Sequence, residues 1–341
     1  MATPQRLRLR TIWPARLANR LALVNSLQLL LVAGGLGLLG FNLGRRSGLE
    51  TSEIYRQNAS VVDLSSRLSS KLSYPLWINQ LNLLKLSTGH HSVRDVGELS
   101  QTFWQQMQVF PVDYINFGGV DGSFVGMERT TAGDLRLNED SSRSGRGVMS
   151  VYAMDAVGER GALLERIPGM TSTHQEAWFV ETARAGKPLW SSIYSWEDQP
   201  EVFSISYNAP LFGPDRELKG VVGVDVVLSH LSAWLSSVWR ERQGLALIVE
   251  PSGALVASSE PSLTLKRNGN QINRAQLGQL QPAVAQAMAK RFAELVRSNK
   301  PQRQQIQGVA YTLQATPWGR DEGLNWLLLT ALAVDPANTA A

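Results

Sequence analysis

The spacing of hydrophobic residues changes several times along the chain, and each change marks an element. Residues 21–44 contain no charged side chain and only Asn25, Ser26, Gln28 and Asn42 as clearly polar ones. As a helix this stretch would be about 36 Å long, against roughly 30 Å of bilayer core, so it predicts a transmembrane segment. Over residues 47–86 the apolar positions thin to helical spacing, with Ile54, Val61, Val62, Leu64, Leu68 and Leu72 separated by Ser, Arg and Asp. That pattern predicts a long, mildly amphipathic helix, its far end bracketed by Pro75 and Gly89 and residues 65–70 forming a polar surface. A second helix is predicted over residues 92–110, with Phe103, Trp104, Met107 and Phe110 on one face and Pro111 as its stop.

Beyond Pro111 the chain turns to short runs with turn signals. VDYINFGG and SFVGMER flank Asp121 and Gly122, a hairpin signature. SSRSGRG at 141–147 predicts a loop, and the run 151–167 is ambiguous between strand and helix. EAWFVETARAG, from Glu176, predicts an amphipathic helix closed by Gly186 and Pro188. Three strands follow, with turn chemistry at 197–200 and 213–217. The last, residues 220–228, is almost wholly apolar except for Asp225 and runs into a helix, 228–241, with Leu231, Trp234, Leu235 and Val238 on one face. A smaller pattern of the same kind then begins. LALIVEPSGALVASS predicts a strand–turn–strand, 266–279 a solvated loop, and 282–297 a helix. VAYTLQATPW and LNWLLLTALAV predict two closing strands, the second too short to span a bilayer and better placed in mid-sheet. The fold class expected is α+β, with antiparallel sheets.

Charge and composition narrow the picture. Across 341 residues, 43% are hydrophobic and 18% charged, the balance of folded material, and the net charge is +4. Arg6, Arg8, Arg10, Arg16 and Arg20 precede the apolar run, Arg45 and Arg46 follow it, and no acidic residue comes before Glu50. The positive-inside rule places the N-terminus in the cytoplasm and the bulk of the chain outside the inner (plasma) membrane, on an uncleaved single-pass anchor. The remainder is close to neutral, which excludes a nucleic-acid footprint. There is no cysteine, so disulfide, thiolate and Cys–metal chemistry are excluded.

Candidate chemistry concentrates in residues 176–231. A lone carboxylate in an apolar strand needs a partner or a cavity, so Asp225 is either a ligand contact or a cap on a neighbouring loop. Trp178, Phe179, Tyr194 and Trp196 could wall an aromatic pocket suited to cations, or could be ordinary core and sheet-face aromatics. Glu176, in the first turn of its helix, is read first as an exposed acid favoured by the helix dipole, and otherwise as a further ligand contact. His90 and His91 are adjacent in a loop, and His174 and His230 have no companion four residues on, so no metal site and no cofactor is expected. No nucleophile elbow, P-loop or HExxH is present, and no enzymatic activity is expected.

The stretches FWQQMQVFPVDYINFGGVDGSFVGMER, AWFVETARAGKPLWSSIYSWEDQPEVFSISYNAPLF, KGVVGVDVVLSHLSAWL, LIVEPSGALVASS and GLNWLLLTALAV resemble, in order and spacing, the double Cache (dCache) extracytoplasmic sensor of bacterial signalling receptors, in particular its cyanobacterial form. The resemblance implies two tandem PAS-like modules on one long N-terminal helix. The expected division is a cytoplasmic arm at 1–20, a membrane anchor at 21–44, a stalk helix at 45–90, a membrane-distal module at 91–231, a connecting helix at 232–244, a membrane-proximal module at 245–335 and a tail at 336–341. It implies a small ligand in the distal module, with Trp178, Phe179, Tyr194 and Asp225 at matching positions. The length of the helix over 47–86, leaving the membrane, points equally to a stalk that forms a homodimer seam and to a helix packed on its own domain. Family members that grip an amino-acid carboxylate place an Arg where this chain has Glu176, which turns the expected ligand toward an amine or other cation. The chain ends at Ala341 without an exit helix or output domain. It is therefore expected to signal through a separate output protein; the alternatives are a truncated or split receptor ectodomain and a stand-alone solute-binding protein.

Overall fold

A computed structural model describes residues 15–87, 95–141, 147–169, 175–269 and 271–334, with side chains from residue 51 onward. The chain divides into two units, one reaching Tyr55 and the other spanning Arg56–Val334. Among the described residues the first unit is the opening part of helix α1, and both large sheets belong to the second.

Helix α1 (Ala15–Ser87) is continuous over 73 residues and carries Pro75 within it rather than at its end. The expected membrane span at 21–44 falls where side chains lie outside the described residues; among those that are described, no helix is long and apolar enough to cross a membrane. Val61, Leu64, Leu68, Leu72 and Ile78 are buried along one stripe, whereas Ile54 and Val62 are exposed. Helix α2 (Val96–Val109) begins later than its apolar pattern predicts, because Asp95 accepts from Glu98 N–H as an N-cap. His90 and His91, and His174, lie outside the described residues.

The larger sheet is built from β1 (Tyr114–Gly119), β2 (Phe124–Arg129), β3 (Leu135–Asp140), β4 (Val148–Met154) and β5 (Arg160–Pro168). Helix α3 (Ala177–Ala185) then leads to β6 (Leu189–Trp190), β7 (Tyr194–Ser195), β8 (Phe203–Phe212) and β9 (Leu218–Val227). The order is β5-β4-β3-β2-β1-β9-β8-β6, with β7 also on β8, and every pairing is antiparallel. The run 151–167 is thus resolved as strand, with Asp155 accepting from Val157 and Glu159 N–H at the turn.

Helix α4 (Leu228–Trp239) follows β9 without a break. The smaller sheet has the order β11-β10-β16-β15-β14, from β10 (Gly244–Val249), β11 (Leu255–Ser258), β14 (Gln302–Ile306), β15 (Val309–Trp318) and β16 (Trp326–Ala333). The closing apolar run is therefore its central strand, as its composition predicts. Two expectations fail here. Residues 266–279 hold a hairpin, β12 (Leu265–Asn268) with β13 (Gln271–Arg274), whose two mostly exposed faces leave no apolar alternation to read. The helix expected over 282–297 is two, α5 (Ala283–Lys290) and α6 (Phe292–Ser298), broken at Arg291, whose guanidinium reaches Glu294 and Gln304.

Each sheet is covered on both sides. The even-numbered residues Val222 and Val224 of β9 pack with Ile115 and Phe117 of β1 against α1 and α2, while the odd-numbered ones face α3. In the smaller sheet, Ile248 and Leu328 meet α1 and α4, and Leu247, Leu313 and Leu329 meet α5 and α6. Gln57 Nε2 donates to Thr330 Oγ1 at 2.6 Å and Asn79 Nδ2 to the Tyr207 carbonyl at 2.5 Å, so α1 is pinned to both sheets.

Candidate functional site

The α3 side of the larger sheet is built from residues that leave room. Strand register brings Asn138, Gly126, Asn116, Gly223 and Asn208 into one row across five strands, asparagine alternating with glycine. A Cβ on Gly223 would lie 2.5 Å from Asn116 Oδ1 and 2.6 Å from Asn208 Oδ1, and one on Gly126 would lie 2.3 Å from the Tyr114 hydroxyl. Only glycine lets these side chains converge. The adjacent row runs Glu128, Tyr114, Asp225, Ser206, so the strand alternation puts Asp225 on the same open face.

Over this floor lies a cavity of about 620 Å³, counting its mouth; the part open to the centre of a water molecule is about 40 Å³, so the occupant is small. Tyr114, Phe124, Trp178, Tyr194 and Trp196 supply its aromatic wall. Tyr114 and Trp196 have ring centroids 5.1 Å apart, and Phe124 meets the edge of Trp178 at 6.3 Å. Asp140, Glu176, Glu197, Asp198 and Asp225 all line it, and among the described lining residues there is no Lys, Arg or His.

Asp225 is 1% exposed and is held by Tyr194, whose hydroxyl donates at 2.8 Å, and by Asn116 Nδ2 at 3.3 Å. Burial pushes its carboxyl up to about 6, against the opposing effect of the donors Tyr194, Ser206, Trp196 and Asn116. Glu176 accepts from the Trp178 indole N–H at 2.6 Å. Burial raises its carboxyl to about 7, with Asp225, Glu197 and Asp198 adding to the rise and the Trp178 bond resisting it. Asp198 is also raised by burial. The exposed first-turn acid expected at Glu176 is therefore corrected: the residue precedes α3 and makes no capping bond, because its carboxylate turns into the cavity instead. Among the described residues Asp225 is bonded by side chains, Tyr194 and Asn116.

Five of the six residues singled out from sequence meet in one place: Glu176, Trp178, Tyr194, Trp196 and Asp225 line the cavity. Phe179 does not. It packs edge-on to Trp178 at 5.7 Å in the apolar cluster that α3 shares with the sheet, beside the cavity and not lining it, since neighbours on a helix point about 100° apart. Sequence reasoning missed Tyr114, Asn116, Phe124, Asn138, Asp140, Met149, Glu197 and Asp198. Asn116 and Gly126 carried a usable signal, a polar residue and a glycine inside strands. Glu197 and Asp198 read as turn residues, and nothing local marks them otherwise. His230 belongs to a separate pair: Asp113 accepts from Val227 N–H at 2.8 Å and lies 3.0 Å from His230 Nδ1, raising the imidazole pKa. Among the described residues no cluster of three or more His, Asp or Glu has metal-binding geometry.

No family model matches the chain, and no curated protein matches it. Solved structures do. The ligand-binding domain of the Campylobacter jejuni chemoreceptor Tlp3, in complex with 4-methylisoleucine, superposes with a TM-score of 0.53 at 8% identity, covering 87% of this chain and 95% of that one. The ligand-binding domain of the Pseudomonas aeruginosa amino-acid chemoreceptor PctC, in complex with GABA, gives 0.50 at 14% identity over 82% and 99%. A methyl-accepting chemotaxis protein X gives 0.51 at 13% identity over 83% and 98%. The chain has the double Cache fold of chemoreceptor ligand-binding domains, with a long N-terminal helix and two antiparallel sheets.

Proposed function

We propose that this chain is the extracytoplasmic sensor region of a membrane-anchored receptor, and that it binds a small solute in the cavity over its larger sheet. The observation that carries the reading is the cavity itself: a small, aromatic-walled space with a fully buried, hydrogen-bonded carboxylate at its floor, in a fold whose solved representatives are chemoreceptor ligand-binding domains. Those relatives hold 4-methylisoleucine and GABA, which are solutes of suitable size. In this reading residues 91–231 are the membrane-distal module and 245–335 the proximal one. Residues 21–44, with five arginines before them, are the anchor that leaves the N-terminus in the cytoplasm. The role is binding, not catalysis.

Occupancy has a physical route outward. Asp225 sits on β9, two residues before Val227, where the strand passes directly into α4. Leu231 and Leu235 of α4 are fully buried against α1 and the smaller sheet, so a shift of β9 moves the helix between the modules. The test is a thermal-unfolding screen of the full-length chain in detergent against amino acids, amines and organic acids. A ligand near 100 times its Kd adds about 2.7 kcal/mol, or several degrees for a domain of this size. At least one solute is expected to give that shift, and Asp225→Asn to remove it. A panel with no shift, or a shift that survives both Asp225→Asn and Trp178→Ala, would overturn the reading.

A further inference from the structure

The cavity's lining includes buried hydrogen-bond acceptors that no donor satisfies. The Tyr194 hydroxyl is used on Asp225 and the Trp178 indole on Glu176. Asn116 spends its amide N–H on Asp225, and Asn138 spends its own on the Tyr114 hydroxyl and Glu128. Two buried acceptors remain open, the side-chain carbonyl oxygens of Asn116 and Asn138, 1% and 4% exposed, beside one open donor, the Trp196 indole N–H. A buried acceptor without a donor is costly, and a ligand rich in N–H groups would satisfy both.

Charge points the same way by a separate route. Glu176, Asp198 and Asp225 line one small space, with their described partners all neutral donors. One ammonium leaves most of the five lining carboxylates without a counter-charge, and a second offsets more of that charge. The aromatic faces around them favour an organic cation over a hydrated metal ion. A ligand carboxylate would meet no guanidinium or ammonium among the described lining residues, and would add like charge to a desolvated acidic site.

We propose, building on the sensor reading above, that the cavity selects a short aliphatic diamine lacking any carboxylate, and rejects the amino acid of the same chain length. Its two ammonium groups donate to Asp225 with Asn116 and to Glu176 with Asp198, while the methylenes lie between the aromatic rings.

Calorimetric titration of the full-length chain in detergent with three probes of matched length tests this: 1,4-diaminobutane, butylamine and 4-aminobutanoate. The diamine is expected to bind roughly tenfold or more tighter than the monoamine, and 4-aminobutanoate not to bind measurably. Binding should release protons, seen as a heat that depends on the ionisation enthalpy of the buffer. Glu176→Gln and Asp225→Asn, nearly isosteric changes, should each weaken the diamine by roughly tenfold or more while the unfolding transition stays cooperative. The inference is overturned if 4-aminobutanoate binds as tightly as the diamine, or if the double variant binds the diamine unchanged. If the cations fail but an amino acid or organic acid binds, this inference falls and the sensor reading stands. If no solute of any class binds, both fall together.

Discussion

The two sheets share a plan and differ in what covers one face. In each, a long apolar strand lies between antiparallel neighbours, β9 between β1 and β8, and β16 between β10 and β15. In each, α1 backs one side. On the other side the smaller sheet offers Leu245, Leu247, Val249, Leu313, Leu327 and Leu329, packed solid against α5 and α6. The larger sheet offers Tyr114, Asn116, Gly126, Asn138, Gly223 and Asp225 at the comparable depth, and an empty space results. The fold itself does not create the cavity. Exchanging branched aliphatic residues for glycine and hydrogen-bonded polar ones on one face is enough to open it, and the intact partner sheet shows what the closed version looks like.

The sharpest way to break that comparison is to make the closed face resemble the open one. Leu247→Asn puts an unpartnered amide into a filled core and is expected to cost about 3–5 kcal/mol, read from chemical unfolding. Asn116→Leu, the reverse change on the open face, should cost under about 2 kcal/mol and abolish ligand-induced stabilisation. Next in size is Gly223→Ala. Its methyl group must displace Asn116 or Asn208, for an expected loss of about 1–3 kcal/mol with the cavity narrowed; unfolding and titration of one preparation measure both.

A second contrast separates the faces by pH. Glu176 and Asp225 have folded pKa values near 7 and 6, above their ordinary 4.5 and 3.8. The folded state therefore holds more protons than the unfolded one between about pH 4 and 7, and unliganded stability must fall as pH rises through that window. Melting temperatures across it should show the decline in the unmodified chain and a flatter profile in the Glu176→Gln/Asp225→Asn double variant. The smallest expected effect is at Asp113 and His230. That raised imidazole pKa stabilises fully below about 6.5 and loses its contribution as pH rises past the raised value. Asp113→Asn should remove this dependence at a cost of about 1 kcal/mol or more from the Val227 N–H bond.

How much of this was readable beforehand depended on whether the signal was local. Strands β9 and β16 announce themselves because residues 220–227 and 326–333 are continuous apolar runs, and Asp225 stands out by contrast with its neighbours. Trp178 and Tyr194 were found for the same reason, by type and place. Strands β12 and β14 escaped because both are mostly polar and sit at margins, where period-two alternation is lost. Asn138 and Asn116 become neighbours of Gly126 only through register, a pairing no single strand records. Phe179 was misplaced by adjacency: one residue on from Trp178, its side chain turns about 100° round the helix and misses the cavity.

The alternating row of asparagine and glycine has a consequence for how a cavity of this kind could change its chemical preference. Charge in the cavity comes from side chains, but room comes from positions that have none. A lineage could retune the length of solute admitted by substituting at Gly126 or Gly223 and leave the acidic residues untouched. It could equally invert the charge at Glu176, ahead of α3, without disturbing the floor. Size and polarity are thus written at separate addresses, so each can drift under selection without forfeiting the other.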